Sequence, residues 1–143
     1  MYPLIKGMLL ALATTSLIAC SSTTPEDALN EAAKQLQNSL EDKQASAVVK
    51  QLHDDFQAQQ RYDKQAVHQQ MLGLFLRYRN VNIIVLNRQC QLDRGFNYRG
   101  QCNAQVTVTG AQGLIPERLD YYQVSSQWEL SGDDWLLHSL DWQ

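Results

Sequence analysis

Basic residues are not in excess in this 143-residue sequence: 12 lysines and arginines face 15 aspartates and glutamates, for a formal net charge of −3. Without a positive balance nothing draws the chain toward a polyphosphate backbone, so general nucleic-acid binding is not expected. No glycine-rich phosphate cradle is present, and Gly113-Leu114-Ile115-Pro116 offers no nucleophile elbow, so covalent catalysis has no visible support. CxxC pairs are absent and the three histidines, at 53, 68 and 138, lie far apart in sequence. Zinc is therefore not expected; His53-Asp54-Asp55 has the donor chemistry of a ligand cluster, but such charges more often face water. No cofactor is expected. The length suits one domain rather than two, and 44% hydrophobic residues is ordinary globular content, not that of a disordered chain.

Long apolar runs are missing as well, apart from one near the start. Lys6 supplies a positive charge, and the stretch from Gly7 to Ala19 is apolar except for Thr14, Thr15 and Ser16. A bilayer-spanning helix needs about 20 predominantly apolar residues, and the charged sequence after Cys20 cannot extend this one. The short run reads instead as the core of an export signal. Leu17-Ile18-Ala19-Cys20, followed by Ser21-Ser22, resembles the lipobox of bacterial lipoproteins.

That resemblance implies acylation of the Cys20 thiol, cleavage after Ala19 and acylation of the new amino terminus. Residues 1–19 are then a leader, 20–24 an acylated cysteine with a short tether, and 25–143 a single domain. The implied place is the bacterial envelope, lipid-anchored and facing the periplasm; a serine after the cysteine goes with the outer membrane in such proteins. Several acyl chains hold a protein far more firmly than one, at about 0.8 kcal/mol per buried methylene. With Cys20 consumed by lipid, Cys90 and Cys102 remain as a pair in a compartment where disulfides persist.

The tether is short. Ser21 to Thr24 spans at most about 14 Å when extended, which keeps the domain at the bilayer surface. Thr24-Pro25-Glu26-Asp27 reads as a helix start, with Thr24 as the cap and Pro25 at the first helical position. Leu29, Ala32, Ala33, Leu36 and Leu40 form one apolar stripe. A second stripe through Ala45, Val48, Val49, Leu52 and Phe56 predicts a shorter helix. A third helix starts at the Asp63 cap and carries Val67, Met71, Leu74, Phe75 and Tyr78, ending near Asn80.

From Val81 onward, β-branched residues and alternation predict antiparallel strands. Setting Cys90 opposite Cys102 places Arg88 against Ala104, Leu86 against Val106 and Ile84 against Val108, all on one face. Residues 93–100 form the hairpin tip. A third strand runs from about Leu119 to Leu130, with Tyr122, Val124, Trp128 and Leu130 on its apolar face. Ser131-Gly132-Asp133-Asp134 is a turn, and Trp135 to Trp142 is a last, central strand. A two-residue loop there sets Trp128 against Leu137; a three-residue loop sets it against Leu136 and is preferred, because Val124 then meets Leu140.

The order is three helices and then about four strands, an α+β layout. It resembles the nuclear transport factor 2-like superfamily, a cone of curved antiparallel sheet wrapped on N-terminal helices. The similarity is carried most by Gln127-Trp128-Glu129-Leu130 and Gly132-Asp133-Asp134-Trp135-Leu136-Leu137, which are similar to that family's closing hairpin. Enzymes of the superfamily place acid-base groups in the mouth of the cone. The resemblance thereby singles out His138 as a base, with Tyr121 or Tyr122 as a hydrogen-bond donor, against the reading that these are structural residues.

Arg77, Arg79, Arg88, Arg94 and Arg99 crowd one segment with only Asp93 against them, whereas acids outnumber bases in the segments on either side. Pairing across the fold is the expected fate of these arginines. The hairpin tip keeps a second possibility open, since Phe96 and Tyr98 beside Arg94 and Arg99 suit a protein or anionic partner. The expected function is a non-catalytic envelope lipoprotein, held to the membrane at Cys20, that binds a protein or small ligand. A small-molecule lyase or isomerase using His138 is one alternative; a structural accessory subunit of an envelope complex is the other.

Overall fold

The computed structural model describes residues 22–110 and 121–143. The leader, Cys20 and the stretch 111–120 lie outside them. No helix among the described residues is long and apolar enough to cross a membrane.

Helix α1 (Pro25–Glu41) begins as its first residues dictate: Thr24 Oγ1 accepts from the Asp27 N–H at 3.1 Å and Pro25 occupies the first turn. Its stripe seals the core, with Leu29 fully buried and Leu36 nearly so. A six-residue helix α2 (Ala45–Lys50) follows. Strand β1 (Leu52–Ala58) and the two-residue β2 (Tyr62–Asp63) come next. Helix α3 (Lys64–Arg77) is capped by Asp63, whose carboxylate accepts from the Ala66 N–H at 2.8 Å. At its far end Lys43 Nζ donates to the carbonyls of Phe75 and Tyr78, at 2.9 and 3.1 Å. A cation thus satisfies carbonyls that have no partner within the helix.

The four long strands are β3 (Val81–Leu92), β4 (Arg99–Gly110), β5 (Tyr121–Ser131) and β6 (Asp134–Trp142). They join β1 and β2 in a six-stranded sheet of order β2-β1-β6-β5-β4-β3. All pairings are antiparallel except β1 with β6. Helices and sheet enclose one core, centred on Leu29, Phe56, Trp128 and Leu137.

Three expectations are corrected here. The stripe from Ala45 to Phe56 is not one helix: it stops at Lys50, and Leu52, Phe56 and Ala58 point into the core from a strand. Leu52 and Phe56 are four apart, a spacing that fits a helical stripe and one face of a strand equally. Burial beside β6 decides for the strand, so the sheet has six strands and mixed direction rather than four and antiparallel.

The second correction is a β-bulge. Cys90 does face Cys102 and Arg88 does face Ala104, but the register shifts between Val85 and Asn87. Val85 therefore pairs with Val106 and Ile83 with Val108, while Ile84 and Leu86 turn outward, 51% and 56% exposed. The third correction is the closing hairpin. Its loop is Gly132-Asp133, with Gly132 at φ +63°, and Trp128 lies opposite Leu137 rather than Leu136. A further shift beyond Trp128 puts Val124 against Trp142, not Leu140.

Strand β3 is an edge, and edges invite unwanted pairing. Here α1 covers part of it with side chains: Glu41 Oε1 accepts from the Ile83 N–H at 2.7 Å, and Gln37 Nε2 donates to the Ile83 carbonyl at 2.9 Å. The other end of the β3–β4 hairpin closes tightly on α1. A Cβ at Gly100 would stand 2.5 Å from Leu29 Cδ2 and 2.9 Å from the Gln91 carbonyl oxygen, so only glycine fits there.

Candidate functional site

Between α1 and the inner face of β3–β6 lies a cavity of about 400 Å³. Its walls are mainly apolar: Leu36 from the helix, Val85 from β3, Ala104 and Val106 from β4, Val124 and Trp128 from β5. A wider compartment of about 990 Å³ adjoins it beneath α2 and α3, where Val48, Phe56, Met71 and Phe75 take part. Leu36, Leu40, Tyr122 and Leu140 border both. Volumes of this order suit small organic ligands, which occupy clefts of roughly 300–1,000 Å³.

Few polar groups interrupt these walls. Ser126 is internally satisfied, donating to the Cys102 carbonyl at 3.1 Å and accepting from Trp128 Nε1 at 2.9 Å. Arg88 is the one charged side chain of the inner compartment among the described residues. Its Nη2 donates to Gln37 Oε1 at 2.6 Å. Burial pushes the guanidinium pKa below its ordinary value, an effect that the negative field of Glu31 partly offsets; an arginine so placed still carries its charge. Neither compartment is lined by an aspartate, glutamate or histidine among the described residues.

The bulge at Leu86 is what gives Arg88 this position. Alternation from Ile83 and Val85 alone would carry Asn87 inward; one extra residue reverses the phase, so Arg88 and Cys90 share the inner face with Ile83 and Val85. In sequence Arg88 is one member of a basic segment and faces Ala104 in the cysteine register, and Gln37 is a polar position beside the apolar stripe. The available signal was the cysteine register, which sets an arginine on a face otherwise occupied by apolar residues.

The residues expected at an enzymatic site do not converge. Tyr122 reaches the cavity, but Tyr121 is 60% exposed and His138 lines neither compartment. His138 packs against His53, with ring centroids 5.0 Å apart. The His53-Asp54-Asp55 cluster lies on β1 rather than at a helix end. His53 Nδ1 accepts from the Asp55 N–H at 3.1 Å, and Asp54 pairs with Lys64 at 3.2 Å. No three His, Cys, Asp or Glu side chains come together among the described residues.

Cys90 and Cys102 form a disulfide, with an S–S distance of 2.05 Å, and Cys102 is part of the cavity wall. At the hairpin tip Phe96 and Tyr98 meet edge to face at 5.4 Å, and the Arg99 guanidinium stands 5.5 and 5.6 Å from their ring centroids. Arg94 is exposed on the same turn. The expected pairing of the hairpin arginines with acids is not made: Arg88, Arg94 and Arg99 have no carboxylate within 4 Å among the described residues. Amide and aromatic partners take their place for Arg88 and Arg99.

No protein-family model matches the sequence, and no curated protein matches it. Solved structures do match. An NTF2-like protein of unknown function from Pseudomonas putida superposes with a TM-score of 0.72 at 9% identity, over 85% of this chain and 87% of that one. Hexachlorocyclohexane dehydrochlorinase from Novosphingobium barchaimii gives 0.60 at 12% identity, over 81% and 83%. Bd1075 of Bdellovibrio bacteriovorus gives 0.69 at 10% identity over 80% of this chain, which spans only 40% of that longer protein. The fold is thus NTF2-like, and at these identities fold is all that is shared. The same cone serves an enzyme and a protein of unknown function, so activity has to be argued from the site.

Proposed function

We propose that this chain is a lipid-anchored envelope protein whose cone holds an apolar small molecule without transforming it. The observation that carries the reading is the lining itself: apolar walls, with Arg88 the one charged group of the inner compartment and Arg77 at the wide one, and no carboxylate or imidazole among the described residues placed to move a proton. The packing of His138 against His53, outside both compartments, supports holding a ligand over lyase or isomerase chemistry. The lipobox-like residues at Cys20 and the disulfide support an oxidising compartment outside the cytosol, with the outer membrane as the proposed anchor site. The loop end of the β3–β4 hairpin packs on the first turns of α1, through Leu29 against Gly100. A four-residue tether from Cys20 therefore brings Arg94, Phe96, Tyr98 and Arg99 toward the bilayer end of the molecule, where aromatic rings and arginines suit the headgroup region.

The test is ligand-linked stability of the full chain held in lipid nanodiscs. Decanol at about 100 times its dissociation constant is expected to raise the unfolding free energy by about 2.7 kcal/mol, read as a higher urea midpoint. Ala104→Phe, which fills the inner compartment, is expected to keep a cooperative transition and lose the shift. An equal shift in both proteins, or none in either, contradicts the reading.

A further inference from the structure

We infer that the molecule held in the cone is an amphiphile with one anionic end group, received by Arg88 and Gln37, its apolar body lying along the β4 and β5 walls. The inference rests on the ligand-holding reading above and adds the chemistry of the ligand.

Donors and acceptors are out of balance at Arg88. A guanidinium carries five N–H donors, and Arg88 has one hydrogen bond among the described residues, to a neutral amide. Arg88 is half-buried, and even partial withdrawal of a cation from water without an anionic partner has a cost that falls when an anion joins it. Among the described residues no carboxylate lies within 4 Å of Arg88, and Glu31 on α1 is exposed and reaches it only through its field.

Arg88 is also held in position. Gln37 Nε2 is committed to the Ile83 carbonyl at 2.9 Å, which turns Oε1 toward Arg88. Glu41, one turn further along α1, holds the Ile83 N–H. The bulge at Leu86 brings Arg88 onto the same face as Ile83 and Val85, where uninterrupted alternation from those two would have put Asn87. A planar guanidinium prepositioned at the side of an apolar cavity matches the two oxygens of a carboxylate, or the oxygens of a phosphate, as a lysine would not. Val106, Val124 and Trp128 offer the remainder of the ligand only apolar surface.

Carboxylate and phosphate share this chemistry, so three probes of equal chain length separate them: decanoate, decyl phosphate and decanol, each titrated against the full chain in nanodiscs. At least one anionic probe is expected to bind about tenfold or more tighter than decanol, as a charge-assisted hydrogen bond implies. Which anion is preferred identifies the end group. Arg88→Met and Arg88→Gln are expected to erase that gap by lowering affinity for the anionic probe to about that for decanol, and decanol binding that persists in either variant shows that the cavity has survived the substitution. Equal affinity for all three probes, or a gap that persists in both variants, overturns the inference and leaves the ligand-holding reading intact. Binding of none of the three overturns both. If neither variant retains decanol binding, the wild-type ratio decides alone.

Discussion

Replacing Phe56 with alanine is expected to lower the unfolding free energy by about 3–5 kcal/mol, the range for removing a buried aromatic side chain. Phe56 is 2% exposed and stands at the centre of β1. That strand is held by parallel pairing to β6 on one side and by only the two-residue β2 on the other. Because the ring also borders the wide compartment, its loss enlarges a space that is already present instead of letting the walls collapse. Leu86→Ala is the matching control. The uninterrupted register would bury Leu86 against Val106, and its loss would then cost several kcal/mol; the bulge leaves it 56% exposed, and the expected change is within about 0.5 kcal/mol. Urea midpoints of the two variants, measured side by side, separate the two registers.

Loss of the Cys90–Cys102 bridge is the second large effect. The sulfurs join positions 12 apart in sequence, and closing a loop of that order stabilises by about 3 kcal/mol in the chain-entropy account, within a measured range of about 2–5 for native bridges. The structural reason to expect a substantial value is the place of β3. Among the described residues it is an edge strand, paired to β4 alone and held on its other side by α1 through Gln37 and Glu41. Cys90→Ser with Cys102→Ser is expected to lower the urea midpoint accordingly, and reductant is expected to do the same to the wild-type chain while leaving the double variant unaffected. A midpoint indifferent to reductant would show that the sulfurs are not joined.

What could be read from the sequence was local, or pinned by a covalent constraint. The Thr24 and Asp63 caps involve partners three residues away, so the chain states them directly. The stripe of α1 and the pairing of β3 with β4 at its cysteine end are of the same kind. The misread parts depend on distant partners. Leu52 and Phe56 fit either period, and what makes them a strand is β6, some eighty residues on. Ile83-Ile84-Val85-Leu86 is apolar at every position, so alternation is silent where the bulge occurs and the phase changes unseen. His138 alternates convincingly with Leu136 and Leu140, but the register shift past Trp128 sits beside it, and it ends against His53.

A ligand-holding cone requires a ligand to reach its interior, and Trp128 reports that directly. It is 2% exposed and forms part of the inner wall. In the full chain carrying Trp135→Phe and Trp142→Phe, Trp128 is the only one of the three tryptophans left to fluoresce. Titration with a terminally brominated decyl chain, whose heavy atom quenches only on close approach, is expected to extinguish Trp128 saturably, and Ala104→Phe in the same background is expected to prevent it. Emission that stays constant while bromide accumulates in the surrounding bilayer would contradict a ligand-holding cone.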